Sequence, residues 1–191
     1  MTASSHSIPR TIALVGLMGA GKSAVGRRLA SRLGMPFIDA DTAIEQAAGC
    51  SIEEIFARHG EAEFRHGERR VILRLLENEP VHVLATGGGA FINDETRQRL
   101  KEQTITIWLK AELPTLLERV GKRSNRPLLK QGDPAEVLRR LMDVRYPIYA
   151  EADVTVETST GPVEETVERV LAALDAHLGR TPTPSERIAA S

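Results

Sequence analysis

Cysteine is all but missing from this sequence: Cys50 is the only one in 191 residues. That excludes an internal disulfide framework and any metal site built from several thiolates, and it fits a reducing cytoplasm. Long apolar runs are missing too. The run TIALVGLM (11–18) is shorter than a membrane span and leads into glycines rather than a cleavage site. Charge of one sign is also lacking, since 25 basic and 26 acidic residues leave a net charge of -1. Without an excess of either sign, a general nucleic-acid or membrane-surface binder is not expected, and any basic site has to be built from particular arginines. No repeat, linker or second domain interrupts the chain. What is there, 41% hydrophobic and 27% charged residues, suits one soluble, well-buried domain.

Five segments read as short buried strands: TIALVG (11–16), PFIDA (36–40), VHVLAT (81–86), TITIWL (104–109) and ADVTVET (152–158). Between and after them, 23–34, 42–49, 51–60, 61–79, 113–120, 134–149 and 162–179 carry apolar residues at the i, i+3, i+4 spacing of helices. Strands alternating with helices predict an α/β fold, a central five-stranded, mainly parallel sheet flanked by helices. Gly179 follows the last helix as a C′ residue. The domain is expected over 10–178, with 1–9 and 180–191 as mobile tails.

The strongest motif is GLMGAGKS, Gly16 to Ser23, which fits G-x-x-x-x-G-K-[ST] between a strand and a helix. In such a loop, bare backbone N–H groups from Gly19 to Ala24 wrap phosphate oxygens at a helix N-terminus. Lys22 reaches the β- and γ-phosphates and Ser23 ligates Mg²⁺. The loop implies a three-layer NTPase fold but does not separate a kinase from a motor or a switch.

A metal-holding acid is expected beyond the loop, yet VHVLAT ends in Thr86 and then Gly87, Gly88 and Gly89. The candidates are Asp39 and Asp41 in FIDADTAIE. Two positions apart at a strand end, both can face the cleft beyond the carboxyl edge of the sheet. Asp39 could hold waters of Mg²⁺ and Asp41 grip a substrate hydroxyl. The plain alternative is that Asp41 N-caps the next helix while Asp39 is solvated.

Arg65 in EAEFRHGE, Arg126 in KRSNRPLL and Arg145 in DVRYPIY lie beside polar breaks in apolar patterns. A lone arginine is more often solvated surface than a ligand. The glycine triplet is harder to dismiss. Three glycines in a row forfeit chain entropy, so something has to need bare backbone, whereas a tight turn needs only one or two.

In the order GLMGAGKS, DAD, EAEFR, ATGGGAF, RSNRPLL, RYPIY, the chain resembles the shikimate kinases over roughly residues 10 to 178. The resemblance implies ATP and shikimate as substrates, Mg²⁺ as cofactor, and transfer of the γ-phosphoryl group to the 3-hydroxyl of shikimate. It implies Lys22 and Ser23 on ATP·Mg²⁺, Asp39 in the metal's surroundings, and Asp41 on the shikimate hydroxyls, where it could take the 3-hydroxyl proton. It also implies Arg65 and Arg145 on the shikimate carboxylate, and Gly87, Gly88 and Gly89 against the bound acid. A lid of about 121–133 would bring Arg126 to the transferring phosphoryl group, and 41–78 would form the shikimate-binding region. Arg119 and Pro162 fall near the family's adenine sandwich, although Arg119 could equally be a solvated helix residue. A monomer is expected. A gluconate or other small-polyol kinase, and a catalytically weak shikimate-binding regulatory module, are the alternatives. Met18 and Cys50 carry no chemistry, and His59, His66 and His82 are expected at the surface or at helix edges.

Overall fold

The computed structural model describes residues 8–121 and 133–179. The expected tails, apart from Ile8 and Pro9, and residues 122–132 of the expected lid (about 121–133), Arg126 among them, lie outside the described residues. Five strands form one parallel sheet in the order β2-β3-β1-β4-β5: β1 Thr11–Val15, β2 Phe37–Asp39, β3 Val83–Ala85, β4 Thr104–Ala111 and β5 Val154–Thr158. Among the described residues seven α-helices surround it: α1 Lys22–Leu33, α2 Ala40–Ala48, α3 Ile52–Asn78, α4 Asp94–Gln103, α5 Leu113–Gly121, α6 Pro134–Tyr149 and α7 Val163–His177.

Alternation along the strands decides which helix goes where. Ile12 and Leu14 of β1 and Ile105, Ile107 and Leu109 of β4 face a cluster completed by Val25 and Leu29 of α1 and Val167, Val170 and Leu174 of α7. Ala13, Val15, Leu84 and Trp108 point the other way, into a cluster with α2, α3, α4, α5 and α6. A sheet covered on both faces reads as continuous apolar strands, and β1 is buried at every position. Ile8 is buried in the first cluster, inside the segment expected as a tail. On the second face, Trp108, Tyr146, Tyr149 and Phe91 pack ring on ring. Trp108 lies 5.0 Å from Tyr146 and 6.0 Å from Tyr149, and Phe91 lies 6.4 Å from Tyr149.

Two differences from the sequence reading have clear causes. Helix α4 has no apolar stripe, only Thr96 and Leu100 being buried, so periodicity missed it. Its start is set by Asn93, which accepts from the Thr96 N–H at 3.0 Å. His82 is fully buried rather than at an edge: its Nδ1 lies 2.7 Å from the Pro80 carbonyl, and its own carbonyl accepts from Ile12 N–H of β1. Helix α3 starts with a Ser51–Glu54 capping box and breaks at Gly60, where φ of 79° and ψ of 177° are non-helical, at the boundary the sequence placed between 51–60 and 61–79.

Candidate active site

The strand order puts β1 between β3 and β4, so the connection from β1 runs to one side, towards β2, while that from β3 crosses to the other, to β4, and a crevice opens at the carboxyl end of β1. A cleft of about 890 Å³ lies there. The loop Gly16–Gly21 enters it from β1, Asp39 and Asp41 from the end of β2, the glycine triplet from β3, Arg65 from α3, Arg119 from α5 and Arg145 from α6.

Within the loop, Gly16, Gly19 and Gly21 have φ of 138°, 83° and 96°. A side chain at any of them would be strained, and a Cβ on Gly16 would come within 2.7 Å of the Leu109 carbonyl. The Lys22 ammonium donates to the Gly16 carbonyl at 2.7 Å and the Leu17 carbonyl at 2.9 Å. Lys22 is only 9% exposed. It therefore braces the loop from within, which a purely solvent-facing lysine would not do.

Ser23 Oγ donates to Asp39 Oδ2 at 2.6 Å, joining the end of the loop to the end of β2. The other Asp39 oxygen accepts from the N–H of Asp41 at 3.1 Å and of Thr42 at 3.5 Å. Asp39, not Asp41, is thus the N-cap of α2, and the plain alternative had the two roles reversed. Asp41 sits in the first turn of α2 and lines the cleft. A hydroxyl beside a carboxylate is a pair of hard oxygen donors. Mg²⁺ takes such donors one or two at a time and fills its other positions with waters and phosphate oxygens, so Ser23 and Asp39 fit it.

The triplet is crowded by the protein itself. A Cβ on Gly87 would stand 2.5 Å from Glu68 Oε1 and 3.0 Å from Asp41 Oδ1, and one on Gly89 would stand 2.4 Å from the Arg65 guanidinium carbon. Gly88 presses against the backbone of Met18, 3.4 Å from where its Cβ would be. None of the three has positive φ, so at Gly87 and Gly89 close approach rather than backbone conformation demands glycine, whereas a Cβ on Gly88 would meet only ordinary contacts. Sequence reasoning assigned this space to a ligand; the protein's own side chains take part of it.

Glu68 is the residue that sequence reasoning missed. Its carboxylate lies 2.7 Å from Arg65 Nη1, the side chain is 3% exposed, and Oε1 has no hydrogen-bond partner among the described residues. Burial pushes its pKa up, against the pull of Arg65. At Arg65, burial works downward, but Glu68 and then Glu61 override it and raise the pKa. The signal was available: Phe64, Glu68, Val71, Ile72 and Leu75 form one buried stripe of α3, with a carboxylate inside it three residues after an arginine.

Arg145 Nη1 donates to the Gly88 carbonyl at 3.2 Å, which puts its guanidinium and that of Arg65 at the same triplet. Arg119 is no solvated helix residue. Its Nη1 donates to the Gly19 and Ala20 carbonyls at 3.3 and 3.1 Å, its Nη2 donates to the Ser159 carbonyl, and burial lowers its pKa. Pro162 is the N-cap residue of α7; its neighbours Gly161 and Val163 line the cleft. Gly19, Ala20, Gly21, Lys22, Ser23 and Ala24 all line it as well. Among the described residues no helix is long and apolar enough to cross a membrane.

Residues 18–175 match the family model described as shikimate kinase. The shikimate kinase of Paramagnetospirillum magneticum is 59% identical over 174 residues, 91% of this chain and 89% of that protein. The shikimate kinase of Caulobacter vibrioides is 59% identical over 165 residues, 86% and 82% of the two chains. Among solved structures, shikimate kinase from Acinetobacter baumannii in complex with shikimate matches with a TM-score of 0.84 at 39% identity, covering 87% of this chain and 93% of that one.

Proposed function

Since this chain belongs to the shikimate kinase family, we infer that its cleft transfers the γ-phosphoryl group of ATP to the 3-hydroxyl of shikimate, yielding ADP and 3-phosphoshikimate. ATP is the donor and shikimate the acceptor. The observation that supports the reading best is the convergence of a phosphate loop, Asp39, Asp41, Arg65, Arg145 and a glycine triplet on one cleft.

Each residue then has a task. Backbone N–H groups from Gly19 to Ala24 cradle the phosphates, and Lys22 leaves the loop carbonyls to follow charge on the β- and γ-phosphates. Ser23 and Asp39 would hold Mg²⁺, which supplies charge neutralisation at the phosphate oxygens when bound. Asp41 accepts a hydrogen bond from the reacting hydroxyl and aims it at the phosphorus. Arg65 and Arg145 offer planar forks to the shikimate carboxylate. Arg119 and Pro162 flank the adenine, and Arg126, as the resemblance of RSNRPLL implies, neutralises the transferring group. Positioning and electrostatics carry the reaction, as is usual for phosphoryl transfer.

The test is ADP release in a coupled assay with shikimate, gluconate and shikimate methyl ester. Turnover of shikimate with little of either other compound is expected. Preference for gluconate would transfer the assignment to a polyol kinase, and shikimate binding without turnover would point to a regulatory module.

A further inference from the structure

The Gly88 carbonyl accepts twice, both times from α6. Arg145 reaches it with Nη1 at 3.2 Å, and Tyr149, one helical turn further along the same face, donates to it from its hydroxyl. Tyr149 is fully buried and outside the cleft lining, so it touches no substrate. Its ring is fixed between Phe91, two residues after the triplet, and Trp108 of β4.

A trans peptide is planar, with its carbonyl and the following N–H pointing to opposite sides. Fixing the Gly88 oxygen therefore fixes the direction of the Gly89 N–H, and among the described residues every peptide bond is trans. Holding glycines in one conformation costs the most of any residue, because their backbone is the freest. An anchor from outside the triplet is thus needed if the segment is to present one geometry to a ligand. Arg145 cannot anchor it alone, because a substrate carboxylate competes for the same guanidinium.

We propose that Tyr149 is a positioning residue for the acid substrate, holding the Gly88–Gly89 peptide and, through the shared carbonyl, the Arg145 guanidinium. The proposal rests on the reading of the cleft as a shikimate site. Tyr146 provides an internal control. It lies on the same helix, and its hydroxyl also donates to a backbone carbonyl, that of Ala111, away from the triplet. Loss of either hydroxyl removes one part-buried bond to a carbonyl, but only one of the two bonds reaches the glycines.

Tyr149→Phe and Tyr146→Phe are compared with wild type by steady-state kinetics and thermal melting. Tyr149→Phe should raise KM for shikimate about threefold to tenfold, the size of one lost neutral hydrogen bond, with KM for ATP unchanged. Tyr146→Phe should lower the melting temperature comparably and leave KM for shikimate within about twofold of wild type. Combined with Arg145→Lys, Tyr149→Phe should show a non-additive effect on KM for shikimate. An unchanged KM for shikimate in Tyr149→Phe, an equal rise in Tyr146→Phe, or strict additivity with Arg145→Lys would each overturn the proposal. Should Tyr149→Phe not fold, the wild type supplies the answer: the NMR signal of the Gly89 N–H should move on adding shikimate and less on adding ADP, and the reverse order would count against it. Wild type that fails to turn over shikimate would overturn the reading of the site, whereas a silent Tyr149→Phe in an active enzyme overturns the positioning role alone.

Discussion

Arg65 Nη1 and Glu68 Oε2 stand 2.7 Å apart on adjacent turns of α3, and the carboxylate is buried while the guanidinium faces the cleft. Because burial raises the Glu68 pKa above its unfolded value, the folded chain holds that proton more tightly. Its contribution to stability is then complete below the unfolded pKa and lost as pH rises through the folded one. Glu68→Gln should remove this slope. Melting temperatures of wild type relative to the variant should fall as pH rises above the ordinary glutamate range, and a constant difference would show that Glu68 does not titrate in the folded chain. Shikimate affinity should weaken by roughly tenfold, as Arg65 loses a charge-assisted partner.

Lys22→Ala should abolish turnover, because nothing else in the loop follows charge from the β- to the γ-phosphate. The two loop carbonyls that Lys22 satisfies lose their donor, so stability should also drop by about 1–3 kcal/mol. Melting and ADP release are measured together. Activity above about a tenth of wild type would remove Lys22 from the mechanism.

The two acids should separate cleanly. Asn caps a helix as well as Asp does, so Asp39→Asn should keep α2 while raising the Mg²⁺ concentration needed for half-maximal rate. Asp41→Asn should lower kcat by roughly 10²-fold or more with KM for ATP nearly unchanged. Exchanged phenotypes would reverse the roles given to them.

Arg65→Lys and Arg145→Lys keep charge but lose the fork. Each should weaken shikimate binding by at least about tenfold, leave ATP binding near normal, and penalise shikimate methyl ester far less than the acid. Equal losses for acid and ester would mean that neither arginine reads a carboxylate.

The fold and most of the cleft were legible in the sequence because their signals are local. All five strands and the loop show in short windows, and the break at Gly60 falls where the periodicity stops. What was illegible depends on contacts across the chain. Nothing near Glu68 says that Asp41 and Gly87 will lie against it, and nothing near Asp39 says that it, rather than Asp41, will cap α2. Helix α4 was lost because a capped polar segment with two buried residues has no stripe to read. His82 was misplaced because an imidazole just before a β-strand looks like any polar residue at a strand entrance, whether buried or not.

Trp108 is the only tryptophan in the chain. Its indole packs edge-on to Tyr146, and its Cδ1 lies 3.4 Å from where a side chain on Gly16 would begin. It touches α6, which carries Arg145, and the first glycine of the phosphate loop at once. Emission from this single indole, excited at the red edge of its absorption where the two tyrosines do not absorb, should therefore respond at both ends of the cleft, so that titrations of nucleotide and of acid can be followed on the unlabelled chain by the same optical signal.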